Sequence, residues 1–187
     1  EFDEVRPYER GDDARSIDWN VSARFGSPYI KLYREERELT VFVLLDVSAS
    51  MDTGGGPLSR RDQGTLAAAL IALSAEQAGE RLGGLIFDGD SRRFFIPRKG
   101  RAHAMAFVEA AVSAEARGSG PSQVRALGNA LEGTARILKR RSLVVVVSDF
   151  ACADWERDLG VLSRRHDVIA VRVSDPTDEA LPDAGLV

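Results

Sequence analysis

The sequence is poor in the residues that staple or metallate small folds. One cysteine, Cys152, and two histidines, His103 and His166, occur in 187 residues. A lone thiol excludes a disulfide framework, and one Cys with two His falls short of a structural zinc site. No apolar run approaches the ~18 residues of a membrane span; the longest, Leu66 to Leu73, has eight. A basic excess is missing too. The 25 Lys and Arg stand against 29 Asp and Glu, a formal charge of −4, whereas nucleic-acid binders usually carry a positive surplus, so no nucleic-acid partner is expected. No Gly-x-x-x-x-Gly-Lys, Gly-x-Gly-x-x-Gly or Gly-x-Ser-x-Gly string occurs, which removes the common phosphate-cradle, dinucleotide and nucleophile-elbow signatures. What remains is a globular balance, 44% apolar and 29% charged. A chain of this length buries roughly 70% of its unfolded surface without staples. It opens on Glu1 and closes on Gly185-Leu186-Val187, and is expected to be a piece of a longer parent.

Four short β-rich runs alternate with helical patterns. Thr40–Leu45 ends in Asp46, Leu85–Phe87 in Asp88, Leu143–Val147 in Ser148-Asp149, and Val168–Val173 in Ser174-Asp175. Continuous apolar strands are buried on both faces, which predicts a parallel sheet between helices. Helical stripes are expected at Leu66, Leu70 and Leu73, at Met105, Val108 and Val112, at Leu127, Leu131, Thr134 and Leu138, and at Trp155, Leu159 and Leu162. The prediction is an α/β, doubly wound, mostly parallel sheet. Asp88-Gly89-Asp90-Ser91 signals a tight turn that adds one antiparallel edge strand at Phe94–Ile96. Asp88-x-Asp90 also opens like a calcium loop, but Arg92, Arg93 and Lys99 occupy ligand positions. His103 and His166 lie on charged stretches and are expected in solvent, and Cys152 as an inert small residue.

Residues 1–38 differ in character. A short helix over Asp18–Arg24 and a strand over Tyr29–Tyr33 are expected, with Asp18 pairing with Arg24. Trp19, Ile17 and Tyr29 supply apolar surface that must pack somewhere. The segment reads as an N-terminal extension packed on the sheet edge, with the main domain at 39–187.

Asp46-Val47-Ser48-Ala49-Ser50 is the most informative string. It lies after the first buried strand, where open α/β sheets place their sites. Oxygens at i, i+2 and i+4 can converge as the chain turns out of the sheet, and hard oxygen ligands suit Mg²⁺, Mn²⁺ or Ca²⁺. A docking face is expected at Ser48, Ser50 and the Gly54–Pro57 loop. No general base or activated nucleophile accompanies these residues, so a non-enzymatic binding module is expected. The alternative is a Mg²⁺-dependent phosphatase-like hydrolase using Asp46, although Ser48 stands where such enzymes carry a second Asp.

Asp46-x-Ser48-x-Ser50 after such a strand resembles the metal-ion-dependent adhesion site of von Willebrand factor A domains. Glu1-Phe2-Asp3-Glu4-Val5-Arg6-Pro7-Tyr8, Gly11-Asp12-Asp13, Ile17-Asp18-Trp19 and Ser22-Ala23-Arg24 resemble the signature of the bacterial family called domain of unknown function fifty-eight. That resemblance implies a parent with N-terminal membrane helices, a cytoplasmic position for this domain, and partnership with MoxR-type AAA+ ATPases. It also implies a fourth metal ligand at Asp149. The Thr that opens the family's third helix has no counterpart. Leu127-Gly128-Asn129-Ala130-Leu131 matches the family's Leu-x-x-Ala-Leu just beyond that Thr, and Arg125 or, through a shift of register, Ser122 takes the remaining position. Arg125 is expected to act as an internal cation that weakens Mg²⁺ binding, since its fork suits carboxylates.

Overall fold

The computed structural model describes residues 2–33, 38–54, 56–89, 92–114, 124–175 and 178. Two compact units divide the chain, one to Glu38 and one from Leu39.

In the first unit, β1 (Phe2–Pro7) pairs antiparallel with β2 (Tyr29–Tyr33). Between them lie a 3-10 turn at Ala14–Ser16 and the helix α1 (Trp19–Phe25). Asp18 starts α1: its carboxylate accepts from the backbone N–H of Asn20 and Val21, which satisfies donors that a helix start leaves unpaired. The other carboxylate oxygen meets Lys31 Nζ at 2.9 Å. The Lys31 ammonium and these N–H bonds hold the Asp18 carboxyl below the usual range. The expected Asp18–Arg24 pair is therefore not made; a strand residue, not a helix neighbour, takes the carboxylate. Gly26 closes α1 at φ +71°, a conformation that costs glycine nothing. Trp19 is 72% exposed and does not anchor a core; this unit buries Ser22 and Ile30 instead. β1 is not readable from its own pattern: Phe-Asp-Glu-Val-Arg-Pro is polar for a strand and is made one by β2.

The second unit holds a five-stranded sheet in the order β5-β4-β3-β6-β7. Its strands are β3 (Thr40–Asp46), β4 (Arg81–Phe87), β5 (Arg92–Arg98), β6 (Leu143–Ser148) and β7 (Asp167–Arg172). All neighbours run parallel except β5, which pairs antiparallel with β4 at one edge. The predicted hairpin is present, although its tip residues 90 and 91 lie outside the described residues. β3 is central and buried on both faces. Val41, Val43 and Leu45 face α2 (Arg60–Gln77) and α3 (Arg101–Val112); Phe42 and Leu44 face α4 (Ala126–Ile137) and α5 (Glu156–Ser163). The apolar strand runs are thus explained by two covered faces.

Two helical stripes face the other way from the expectation. α2 buries Gly64, Ala68, Ala72 and Ala75 and leaves Leu66, Leu70 and Leu73 exposed. α3 buries Ala104, Phe107, Ala110 and Ala111 and exposes Met105 and Val112. The sheet supplies the bulk on this side, so the helices approach through small residues. Gly84 shows how close: a Cβ there would lie 2.5 Å from the Phe107 ring. His166 is also buried, at 4% exposure, and neither ring nitrogen has a partner among the described residues.

Candidate metal and docking site

β3 and β6 are neighbours in register, Leu45 beside Val147, so their carboxyl ends release Asp46 and Ser148-Asp149 side by side. Asp46 is buried. One of its oxygens accepts from the Ser48 N–H at 2.9 Å, and the other from the Ser148 hydroxyl at 2.7 Å. The Ser48 and Ser50 hydroxyls lie 3.2 Å apart. Asp149 accepts from the Ala151 N–H at 3.0 Å through Oδ1, while Oδ2 is buried with no hydrogen-bond partner among the described residues. Such an orphaned carboxylate oxygen is costly. Asp149 thus closes a tight turn of its own and does not cap α5.

The loop after β6 is strained into place. Phe150 and Asp154 have φ of 56° and 61°, values that cost a residue with a Cβ of order 1–3 kcal/mol. The Phe150 N–H donates to Ser148 Oγ at 3.0 Å, and its ring meets Trp155 edge-on at 4.9 Å. Two arginines at the start of α2 hold the opposite loop. Arg60 donates to the Ser50 carbonyl at 3.1 Å and to Thr53 Oγ1 at 2.6 Å, and pairs with Asp178. Arg61 donates to the carbonyls of Val47 and Ala114 at 2.9 and 2.8 Å and pairs with Asp52. Sequence reasoning does not reach these roles of Ser148, Arg60 and Arg61. Ser148 alone leaves a signal, because adjacent parallel strands of matching length place it beside Asp46.

Asp46, Ser48, Ser50 and Asp149 line one cavity of about 360 Å³, together with Val124, Ala126 and Cys152. Burial pushes the Asp46 carboxyl up and the Asp149 charge adds to this, against the hydrogen bonds from Ser148 and Ser48. Burial also pushes the Cys152 thiol up, so it stays protonated and unreactive. Arg125 does not supply the missing positive charge. It meets the half-buried Asp158 on α5 at 3.2 Å and is not among the residues that line the cavity; a carboxylate on the neighbouring helix takes its charge. Ser122 lies outside the described residues, as does Gly55 of the Gly54–Pro57 loop. Among the described residues no three His, Cys, Asp or Glu side chains gather as a metal group. The donor set here is two carboxylates and two hydroxyls, which suits a hard divalent cation. A wider cavity of about 650 Å³ opens on the other side of Asp149, between Phe150, Trp155, Leu159, Arg60 and Arg172.

This sheet, mostly parallel with one antiparallel edge strand and helices on both faces, is a von Willebrand A-like fold. The family model described as "Protein of unknown function DUF58" matches residues 4–187, and the chain belongs to that family. The uncharacterized protein Rv1480 of Mycobacterium tuberculosis is 36% identical over 184 residues, covering 97% of this chain and 57% of the relative. The chain therefore spans little more than half the length of that relative. Two solved structures share the fold: an aerotolerance-related membrane protein of Bacteroides fragilis and BatB of Bacteroides thetaiotaomicron. Both have a TM-score of 0.55 and cover 72% of this chain, at 17% and 16% identity and over 67% and 66% of their own chains. Among the described residues no helix is long and apolar enough to cross a membrane.

Proposed function

We propose that this domain is a non-enzymatic docking module whose contact point is a divalent cation held by Asp46, Ser48, Ser50 and Asp149. The observation that carries the reading is the buried, unpartnered Oδ2 of Asp149 beside the buried carboxyl of Asp46. Two acids brought this close without a base call for positive charge. Mg²⁺ or Mn²⁺ would neutralise them and offer an open position to a carboxylate of a partner protein. The protein's own contribution is orientation. Ser148 fixes the Asp46 carboxyl, and Arg60 and Arg61 fix the loop that carries Ser48 and Ser50.

One feature favours holding over attacking chemistry. Both oxygens of Asp46 are engaged, by the Ser48 N–H and the Ser148 hydroxyl, which fixes the carboxylate for ligation and leaves neither oxygen free as a phosphoryl-accepting nucleophile. The partner implied by the family resemblance is a MoxR-type AAA+ ATPase, met on the cytoplasmic side of a membrane-anchored parent. Capture of that ATPase by the immobilised domain in Mg²⁺ tests the reading. Asp149→Ala is expected to lower the affinity at least tenfold, and EDTA to do the same to the wild type. Undiminished capture by both would place the contact elsewhere, and steady hydrolysis of an aryl phosphate lost in Asp46→Ala would favour an enzyme.

A further inference from the structure

On the α4–α5 side, one strip of the sheet has no helix over it. A crossover between parallel strands brings a helix back onto the sheet, but β4 and β5 form an antiparallel hairpin, which brings none. The next helix, α3, packs on the opposite face. On this face α4 meets β4 and α5 meets β7, and β5 lies beyond them. Its Phe94 and Ile96 are 39% and 57% exposed, and Ile137, at the end of α4, is 47% exposed. With Arg81, Lys139 and Arg140 these side chains line a groove of about 450 Å³, within the range of roughly 300–1,000 Å³ usual for ligand sites. The buried Phe42 ring backs the floor, 5.9 Å from that of Phe94.

The lining carries three bases and no acid, on a chain whose net charge is −4. The carboxylates beside it are already taken. Glu80 accepts from the Leu39 N–H at 2.7 Å, and Asp167 pairs with Arg141 at 2.6 Å. Arg81 has an interaction of its own. Lys139 and Arg140 are exposed and form no ion pair among the described residues. A helix C-terminus favours a cation, but Arg136 already stands on the last turn of α4, and the dipole explains nothing of the apolar floor. An apolar hollow rimmed by free cations complements an apolar side chain accompanied by carboxylates. A bilayer would need these side chains to protrude, whereas they line a concavity. A nucleic acid, whose binding rests on many phosphate contacts, would meet only two free cations here.

We infer that the groove between β5 and the end of α4 docks an acidic segment of a partner protein, with an apolar side chain seated on Phe94 and Ile96 and carboxylates at Lys139 and Arg140. Thr40, which also lines the groove, and Asp46 close the two ends of β3, about 20 Å apart, so this contact uses none of the cation ligands. Random peptides displayed on phage are selected on the immobilised chain in EDTA, with counter-selection on a chain carrying Lys139→Glu and Arg140→Glu. They are expected to converge on a Phe, Leu or Ile flanked by acids. A selected peptide labelled with fluorescein should bind the wild type with a dissociation constant that rises with salt, as screened charges require. The double reversal is expected to raise that constant about tenfold or more, and Ile96→Ser about fivefold, both with unchanged circular dichroism. Exchange of the two bases, Lys139→Arg with Arg140→Lys, should leave it nearly unaltered, and so should Asp149→Ala. Failure to enrich any peptide, enriched peptides without acids, equal affinity for the double reversal, or loss of binding in Asp149→Ala would overturn the inference. So would binding of the wild type, but not of the double reversal, to phosphatidylglycerol vesicles that the peptide does not displace.

Discussion

Asp46→Asn separates the stability of the domain from the cation we propose it holds. The amide keeps the acceptor for the Ser48 N–H, and its NH₂ can donate to Ser148 Oγ, whose hydroxyl hydrogen rotates away. The contact to the Ser48 N–H survives and that to Ser148 is reversed, while the buried charge disappears. The sign comes from the raised carboxyl. A group whose folded value lies above its unfolded value, about 3.9 for Asp, contributes stability below that value and loses it as pH rises through the folded one. Once pH exceeds the folded value, the metal-free wild type therefore carries an ionised acid in a poor setting. Removing it is expected to stabilise by about 1 kcal/mol, the usual return for relieving a functional site, or roughly 2–4 °C in a chain of this size. With Mn²⁺ at a hundred times its dissociation constant, the wild type should gain about 2.7 kcal/mol and the variant nothing. The melting temperatures should therefore cross: variant higher in EDTA, wild type higher in Mn²⁺. A variant that melts well below the wild type in EDTA, or gains as much from Mn²⁺, refutes the reasoning.

Three further outcomes are expected. Gly84→Ala places a Cβ 2.5 Å from the Phe107 ring and 2.9 Å from the Val43 carbonyl, and is expected to cost about 1–3 kcal/mol in urea unfolding, as overpacking does. Burial holds the His166 imidazole below its usual value, with Arg165 adding and Asp167 opposing. The unfolded chain then protonates first, and stability present above about pH 6.5 falls as pH drops below it; His166→Phe should flatten that acid limb, measured as urea midpoints at successive pH values. Trp19→Ala is expected to change the melting temperature by less than the equivalent of about 0.5 kcal/mol, as exposed sites do, and a larger drop would mean that the indole is covered.

The strands of the main sheet are legible because burial on both faces leaves an uninterrupted apolar run, and the site because each run ends in an acid. Asp46 and Asp149 can be placed together from that alone, once their strands are taken as neighbours. The direction of α2 is not legible. Leu-Ala-Ala-Ala-Leu-Ile-Ala-Leu is apolar at every position, so periodicity names no inner face. What decides is the room left by the sheet, where Phe107 already fills the space over Gly84 and only alanine fits beside it. Arg125 departs from expectation for a related reason. Its spacing from Leu127 puts it at the start of α4, but spacing says nothing of where a long side chain turns, and Asp158 on a different helix captures it. β1 is hidden because a polar strand is made by its partner, not by its own pattern.

The proposed cation site between Asp46, Ser48, Ser50 and Asp149 is tested most directly by a crystal soaked in Mn²⁺. The prediction is an anomalous difference peak bounded by those four side chains, with Asp149 Oδ2 among its ligands and Arg125 still on Asp158. A cavity that holds only water at saturating Mn²⁺, with Asp149 Oδ2 bonded to protein or solvent, would contradict it.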